Sequence, residues 1–312
     1  MAWFFVVLGL VTLLLAGDFL VRAAVNLALR LGISALVVSL TVVAFGTSAP
    51  ELLIVLSAMA DDAPGLAMGN IVGSNTANIL LVLGLPALVA GLYTTGFDTK
   101  KAFISMILAT VLFITLAFMG PFSWWHGGLM LAVLAAILLD QAWTARRVSR
   151  VAVATEDLNG VDTSIPGWKI TLYLLFGLVG LPLGAKVLVV NAEIIAREFG
   201  VPETAIGLTL IAVGTSLPEL ATTTVAAIRR QADVALGNVI GSNMFNLLAI
   251  IGIAALVGPI PVADEFLRFD LWVMLAASFL LIPFVFFGRN ITRIWGAALT
   301  LLYMAYLLVV LL

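Results

Sequence analysis

Two glutamates are the residues of this sequence best suited to chemistry, because each stands alone in a long apolar run. Glu51 lies in TVVAFGTSAPEL (41–52), and Glu219 lies at the same place in TLIAVGTSLPEL (209–220), so the segment occurs twice. A carboxylate in apolar surroundings is costly unless something compensates its charge, and it marks a functional site by default. The sequence therefore predicts one functional site built on a matched pair of acids.

A second repeated block supplies neutral oxygen atoms. It reads GNIVGSNTANIL (69–80) in the first copy and GNVIGSNMFNLL (237–248) in the second. Residues four apart share one face of a helix, so the polar side chains of each block line a single surface. These side chains belong to Asn70, Ser74 and Asn78, and to Asn238, Ser242 and Asn246. A stripe of small residues runs beside each set and predicts the close approach of another helix. Its glycines are Gly69, Gly73, Gly237 and Gly241.

The residues before each glutamate predict a broken helix. Thr47 and Glu51 are four apart and share a helical face. Pro50 has no N–H group, so the carbonyl of Gly46 loses its helical partner. Freed carbonyls and hydroxyls are tolerated in a bilayer only where they line a polar cavity. We expect a broken helix in each repeat, with the freed groups of both pointing at a polar cavity. The corresponding residues of the second copy are Gly214, Thr215, Ser216, Pro218 and Glu219.

The combined ligand inventory indicates a hard cation. It contains two carboxylates, several amide, hydroxyl and carbonyl oxygens, no cysteine, and one histidine outside the repeats. Ca²⁺ prefers about 6–8 oxygen ligands, whereas zinc and copper favour sulfur or imidazole. Two glutamates neutralise one Ca²⁺, or are largely compensated by two or three Na⁺. An uncompensated pair would be costly to move through hydrocarbon, which favours obligatory exchange over leak.

The elements that position these residues must be membrane helices. The chain has 312 residues, of which 63% are hydrophobic and only 10% charged, and no soluble core needs that composition. A spanning helix needs roughly 20 apolar residues, and ten runs fit. The predicted spans are 3–21, 33–59, 66–91, 102–119, 124–143, 168–190, 201–228, 234–259, 269–287 and 291–311. The fold class predicted is an all-α integral membrane protein with broken helices at the midplane.

Charge in the loops gives the orientation. The polar stretch 144–167 separates a first five-helix repeat (1–143) from a second (168–312) within one transport unit. Basic residues gather in the loops after odd-numbered spans, which predicts that 144–167 is cytoplasmic and both termini are outside, in a cell (inner or plasma) membrane. These residues are Arg22, Arg30, Lys100, Lys101, Arg146, Arg147, Arg150, Lys169, Arg229, Arg230, Arg289 and Arg293. Because each half has an odd number of spans, the repeats are inverted, as in many secondary transporters.

The repeated blocks closely resemble the two α-repeats of the cation/calcium exchanger superfamily, most nearly its compact prokaryotic Na⁺/Ca²⁺ exchangers. The resemblance covers essentially the whole chain. It implies that Glu51 and Glu219 are the central Ca²⁺ ligands, together with backbone oxygens of Thr47 and Thr215. It implies flanking Na⁺ sites and two asparagines at the middle of the site. The Na⁺ sites would be completed by Ser48, Ser74, Ser216, Ser242 and the carbonyls of Ala44 and Ala212. The two central asparagines would be Asn78 and Asn246. It also implies that helices one and six slide over the other eight.

Several alternatives remain open from the sequence. A Ca²⁺/H⁺ antiporter or a K⁺-dependent Na⁺/Ca²⁺ antiporter would use the same carboxylates, although Asn246 stands where K⁺-dependent exchangers characteristically carry aspartate. A cation channel is a further possibility, against which the inverted repeat argues. An enzyme is not expected, since there is no cysteine, no HExxH motif and a single histidine, His126. We expect no resident cofactor, no nucleic acid partner and no obligate protein partner. The expected partners are the transported Ca²⁺ and Na⁺ and the lipid bilayer. Asp18 and Lys186 occupy equivalent repeat positions, and each is expected to snorkel to its nearer interface.

Overall fold

The computed structural model describes residues 1–94, 98–148, 165–200 and 212–311, and within these ranges the chain is helical. Two isolated antiparallel bridges, Leu92 with Ile291 and Phe122 with Ile260, are the β contacts found in the described parts. Each bridge ties together the ends of helices from the two halves. The prediction of an all-α membrane fold is confirmed.

We label the helices of the described ranges α1 to α12 in chain order. The first half contains α1 (Ala2–Leu31), α2 (Ala35–Thr47), α3 (Ala49–Ala60), α4 (Pro64–Ala90), α5 (Lys100–Phe118) and α6 (Trp124–Val148). The second half contains α7 (Gly167–Glu198), α8 (Ala212–Thr215), α9 (Leu217–Ile228), α10 (Ala232–Val257), α11 (Phe266–Phe286) and α12 (Arg293–Leu311).

The described residues include eight helices that are long and apolar enough to cross a membrane, or nine if the bent pair α2–α3 counts as one span. The predicted seventh span, 201–228, begins in residues 201–211, which lie outside the described residues. Ten spans therefore stay a prediction. So do the domain limits, because most of 144–167 also lies outside the description.

Helices α1 and α7 pack along each other through small residues. A Cβ added to Gly177 would lie 2.7 Å from the Cβ of Leu20, and one added to Gly184 would lie 3.1 Å from the carbonyl oxygen of Gly9. Close backbone approach through glycine is the usual way that membrane helices gain packing contacts. Arg30 extends the pairing, because its Nη2 donates to the carbonyl of Ile165 at 3.1 Å. The two helices thus form a single packed pair.

Both of these helices are longer than predicted. Of the basic residues predicted in loops, Arg22 and Arg30 lie inside α1 and Lys169 lies inside α7. Five others lie inside α5, α6 or α12, namely Lys100, Lys101, Arg146, Arg147 and Arg293. The charges end the apolar run without ending the helix, since lysine and arginine have good helix propensity. Their assignment to loops is therefore wrong.

Asp18, in the middle of α1, has two partners that the sequence did not predict. Its Oδ2 accepts from Arg22 Nε at 2.8 Å, and its Oδ1 accepts from Arg229 at the end of α9. The side chains of Asp18 and Arg229 are only 24% and 32% exposed. This ion pair therefore joins the α1–α7 pair to the helix that carries Glu219.

We expect Asp18→Asn to lower the stability of the folded protein by about 1–2 kcal/mol, because the partly buried guanidinium group of Arg229 loses its anion. The measurement is the thermal unfolding midpoint in detergent. Asp264→Asn is the matched control, since its contact with Arg268 is 3.5 Å long and about 80% exposed and is expected to contribute little. Equal midpoints for the two variants would contradict the prediction.

Candidate functional site

The helix breaks before the two glutamates have the same geometry. Ser48 has φ −84° and ψ 3°, and Ser216 has φ −85° and ψ 4°. The axes of α2 and α3 differ by 41° across Ser48. A proline lies in the first turn of the helix that follows each break, where its missing N–H costs nothing. Glu51 and Glu219 therefore lie in the first turns of α3 and α9, where the helix dipole stabilises a negative charge.

The two carboxylates meet in the interior. Glu51 is 1% exposed and Glu219 is 0% exposed, and the two groups interact electrostatically. Ser48 of the first repeat donates to Glu219 Oε1 of the second at 3.3 Å. Thr47 and Ser242 also interact with the Glu219 carboxylate. The predicted convergence of the two motifs is thus present in the structure.

The polar face of α10 packs directly on the first break. Thr47 Oγ1 donates to Asn238 Oδ1 at 3.1 Å and lies 3.4 Å from Ser242 Oγ. The Asn238 amide nitrogen donates to Thr223 Oγ1 at 3.2 Å and to the carbonyl of Glu219 at 3.4 Å. Asn238 therefore connects α2, α9 and α10 around the acidic pair.

Glycines on α10 permit this contact. A Cβ added to Gly241 would lie 2.6 Å from both the Cβ of Ala44 and the carbonyl oxygen of Leu40, and one added to Gly237 would lie 2.8 Å from the Cβ of Ser39. The prediction of close approach is confirmed for this stripe. For the stripe that contains Gly69 and Gly73 it stays a prediction, since no backbone of the described residues lies within 4 Å of a Cβ there.

Four asparagines cross the interface between α4 and α10. Asn78 Nδ2 donates to Asn243 Oδ1 at 3.0 Å, and Asn246 Nδ2 donates to Asn75 Oδ1 at 3.2 Å. π-Helical turns, which often mark functional sites, begin at Asn78 and at Phe245. Asn75 and Asn243 were not among the residues predicted for the site. Their presence at matching positions of GSN in both repeats is the signal that could have found them.

Several buried oxygen atoms at this site accept no hydrogen bond from any described residue. They are Glu51 Oε2, Glu219 Oε2, Asn78 Oδ1, Asn246 Oδ1 and Ser216 Oγ. Buried polar atoms are nearly always satisfied, so a cluster of oxygens without donors calls for a cation or water. Among the described residues on the helices of the site, Asn70 Nδ2 is the one buried side-chain nitrogen without a partner. The repeat position of Thr223, which binds the corresponding Asn238, is occupied by Val55, which has no hydroxyl.

The other predicted ligands lie around this cluster. Ser74 and Thr215 are buried. The carbonyl of Ala44 accepts from Ser48 N–H at 3.1 Å, and Thr47 Oγ1 lies 3.3 Å from the same oxygen. Ala212 begins α8, and nothing is described of its side chain. The ligand roles of all these residues stay predictions.

The electrostatics of the site are those of two charges in a neutral oxygen cage. No group of three or more histidine, cysteine, aspartate or glutamate side chains that could hold a metal occurs within the described ranges. The other polar side chains around the two glutamates are amides and hydroxyls, which suit Ca²⁺ and Na⁺ better than a transition metal.

Comparison with known proteins gives consistent matches along the whole chain. The family model described as sodium/calcium exchanger protein matches residues 1–143 and 169–312. The putative antiporter CaxA of Alkalimonas amylolytica is 36% identical over 98% of this chain and 97% of its own length. The sodium/calcium exchanger MaX1 of Methanosarcina acetivorans is 34% identical, with 97% and 96% of the two chains covered. A solved structure of the sodium-calcium exchanger NCX_Mj, soaked with Na⁺ and Sr²⁺, matches with a TM-score of 0.82 and 29% identity, covering 98% of this chain and 97% of that one.

Proposed function

Because this chain belongs to the sodium/calcium exchanger protein family, we propose that it is a secondary active antiporter that exchanges Na⁺ for Ca²⁺ at a shared site built on Glu51 and Glu219. The family is one of multi-pass membrane transporters and not of enzymes. Its transported ions are cargo, and we propose no resident cofactor.

One observation carries the proposal. The five buried oxygens without donors come from both repeats, and they include one oxygen of each glutamate. We propose that cations bind among these oxygens and lie between the two like charges. Four of these five oxygens are carboxylate or amide oxygens, which only accept, and a hydrogen-bonded structural core or a site for an anion would instead present donors.

The charges of the site favour exchange. One Ca²⁺ cancels two carboxylates, and two or three Na⁺ largely do the same, so either load leaves the site close to neutral. An empty, ionised pair carries an uncompensated charge, and its transfer through a low-dielectric interior costs several kcal/mol. Movement is therefore coupled to occupancy, and the emptied site crosses back only after the counter-ion has bound to it.

The moving part that we propose is the α1–α7 pair. It lies across both breaks, since Leu178 of α7 packs over Gly46 and Val189 of α7 packs over Gly214. Sliding of this pair would expose first one break and then the other, which is alternating access around a fixed site. From the positive-inside bias of the sequence we propose that the 144–167 loop is cytoplasmic, in a cell membrane, with both termini outside.

A Ca²⁺/H⁺ antiporter and a K⁺-dependent Na⁺/Ca²⁺ antiporter are the rival functions, because either would use the same two carboxylates. The neutral Asn246, whose Oδ1 joins the unpaired oxygens, gives K⁺ no third carboxylate to bind. We therefore rank Na⁺/Ca²⁺ exchange first.

Purified protein in liposomes tests the choice. We expect ⁴⁵Ca²⁺ uptake when vesicles loaded with Na⁺ are diluted into Na⁺-free buffer, and no uptake when only a K⁺ or a pH gradient is imposed. A protonophore should leave the Na⁺-driven uptake intact. Uptake driven by the pH gradient alone would replace the proposal with H⁺ exchange, and a strict K⁺ requirement would replace it with the K⁺-dependent form.

A further inference from the structure

The amide groups of Asn78 and Asn246 have a single useful orientation if their oxygens are to bind a cation. An amide presents an acceptor oxygen on one side and a donor NH₂ on the other. With the NH₂ group turned toward the site, a cation would meet two positively polarised hydrogens instead of a lone pair. Something must therefore hold each amide with its oxygen facing inward.

Asn243 holds the amide of Asn78. The acceptor Asn243 Oδ1 lies 3.0 Å from Asn78 Nδ2, which leaves Asn78 Oδ1 free of any donor. A half-turn of the Asn78 amide would bring two carbonyl oxygens together against Asn243 and remove this hydrogen bond. The orientation seen is therefore the favoured one.

The orientation of Asn243 is itself fixed by groups that cannot donate. Its Nδ2 donates to the backbone carbonyl of Asn75 at 3.4 Å and lies 3.9 Å from the sulfur of Met106. A backbone carbonyl is only ever an acceptor, so Asn243 must turn its nitrogen toward it and its oxygen toward Asn78. The direction of the Asn78 oxygen is thus set by Asn243 of the other repeat, which is itself oriented by a backbone carbonyl of α4, the helix that carries Asn78.

Asn75 does the same for Asn246. Its Oδ1 accepts from Asn246 Nδ2 at 3.2 Å, and its own Nδ2 lies 3.8 Å from the sulfur of Met274. All four asparagines are at most 2% exposed, so water does not compete for these contacts. The inverted repeat has produced two reciprocal clamps, each of which reaches from one repeat into the other.

We propose that Asn75 and Asn243 are positioning residues for the transported cation, because each one locks the amide of an asparagine in the opposite repeat with its oxygen toward the site. This inference rests on the proposed function, since it assigns a role to residues behind the same site. In this arrangement each amide presents either its oxygen or its NH₂ group to the ion, and a second asparagine decides which.

The test compares Asn75→Ala in two backgrounds. In the otherwise unchanged protein, loss of the clamp frees the Asn246 amide to rotate, and we expect Ca²⁺ affinity to fall about tenfold. In an Asn246→Asp background, both side-chain oxygens can bind a cation, so orientation no longer matters. There we expect Asn75→Ala to change affinity less than about twofold. The readout is the Kd for ⁴⁵Ca²⁺ of detergent-solubilised full-length protein.

A purely structural role of Asn75 gives a different pattern. A hydrogen bond that only joins α4 to α10 would affect both backgrounds equally, and equal losses would overturn the proposal, as would unchanged affinity in the first background. Thr76→Val is the control, because Thr76 is buried beside Asn75 but donates only to Val72 of its own helix, at 3.0 Å. It should bind Ca²⁺ with unaltered affinity.

The mirror pair keeps the test decisive if Asn75→Ala does not fold. Asn243→Ala, alone and combined with Asn78→Asp, should show the same rescue on a different helix, and the absence of rescue there would overturn the proposal. Failure of the proposed function has a separate signature, because the unmodified protein would then show no Na⁺-driven ⁴⁵Ca²⁺ uptake in liposomes. A protein that binds Ca²⁺ but shows no difference between backgrounds refutes the clamp alone.

Discussion

Glu51→Gln and Glu219→Gln are each expected to abolish Na⁺-driven ⁴⁵Ca²⁺ uptake, with a loss on the order of 100-fold or more. Glutamine has almost the shape of glutamate but removes one charge and replaces one oxygen with NH₂. At a separation of 4 Å and an effective dielectric constant near 20, a single charge pair is worth about 4 kcal/mol. With only two carboxylates in the site, the loss of one halves the charge that compensates Ca²⁺.

The same variants should still fold, which separates loss of binding from loss of structure. The two carboxylates are buried and repel each other, so replacement of one by a neutral amide removes an unfavourable interaction in ion-free buffer. We expect melting midpoints in ion-free buffer no lower than that of the parent protein. The upward shift that Ca²⁺ gives the parent, which grows as RT ln(1 + [L]/Kd), should disappear.

Glu198→Gln is the matched control, since it makes the same chemical change at an exposed position near the end of α7. It should keep full uptake and the full Ca²⁺-dependent shift. Wild-type uptake by either of the two buried variants would remove the foundation of the proposed site.

Much of this site could be predicted from the sequence because the motif that carries its residues occurs twice. A glutamate, a proline and two hydroxyls recur at the same spacing, and each of these residue types restricts the local structure strongly. Pro50 and Pro218 predicted breaks, and the structure has them at Ser48 and Ser216. Hydropathy then placed the repeats in a membrane, where an isolated acid has few roles other than binding an ion.

The pairing across the repeats could not be predicted in the same way. Helical periodicity says that Asn75 and Asn78 lie on neighbouring faces of α4, but it does not say which side chain of another helix each one meets. That depends on the rotation and depth of α10 against α4, which only tertiary packing fixes. Asn78 was therefore predicted from the sequence as a ligand, whereas Asn243, whose side chain accepts a hydrogen bond from it, was not predicted to have any role.

The repeated motifs also do not predict the places where the two halves differ. Thr223 accepts from Asn238, but Val55 stands at the equivalent place in the first half, so Asn70 Nδ2 has no such partner. Hydropathy likewise reports where apolar residues end and not where helices end. For this reason α1 and α7 extend through charged residues to lengths of 30 and 32 residues.

Gly241→Val is expected to destabilise the protein by about 3 kcal/mol or more and to remove Ca²⁺ binding. The first added carbon alone would lie 2.6 Å from the carbonyl oxygen of Leu40, a backbone atom that cannot rotate away. Overpacking usually costs about 1–3 kcal/mol, and a clash with backbone belongs at the upper end. To relieve it, α10 must move away from α2. The contacts of Thr47 with Asn238 at 3.1 Å and Ser242 at 3.4 Å would then be broken.

Gly128→Val controls for the general effect of valine in place of glycine within a membrane helix. Gly128 is exposed on α6, and no atom of the described residues lies within 4 Å of a Cβ built there. Since valine has the better helix propensity, the control should fold at least as well as the parent. Size-exclusion profiles and melting midpoints report folding, and ⁴⁵Ca²⁺ binding reports the site. The milder Gly241→Ala should shift both measurements in the same direction as Gly241→Val. If Gly241→Val binds Ca²⁺ normally, the close contact between α2 and α10 is not needed to assemble the site, because binding has survived the separation of these two helices.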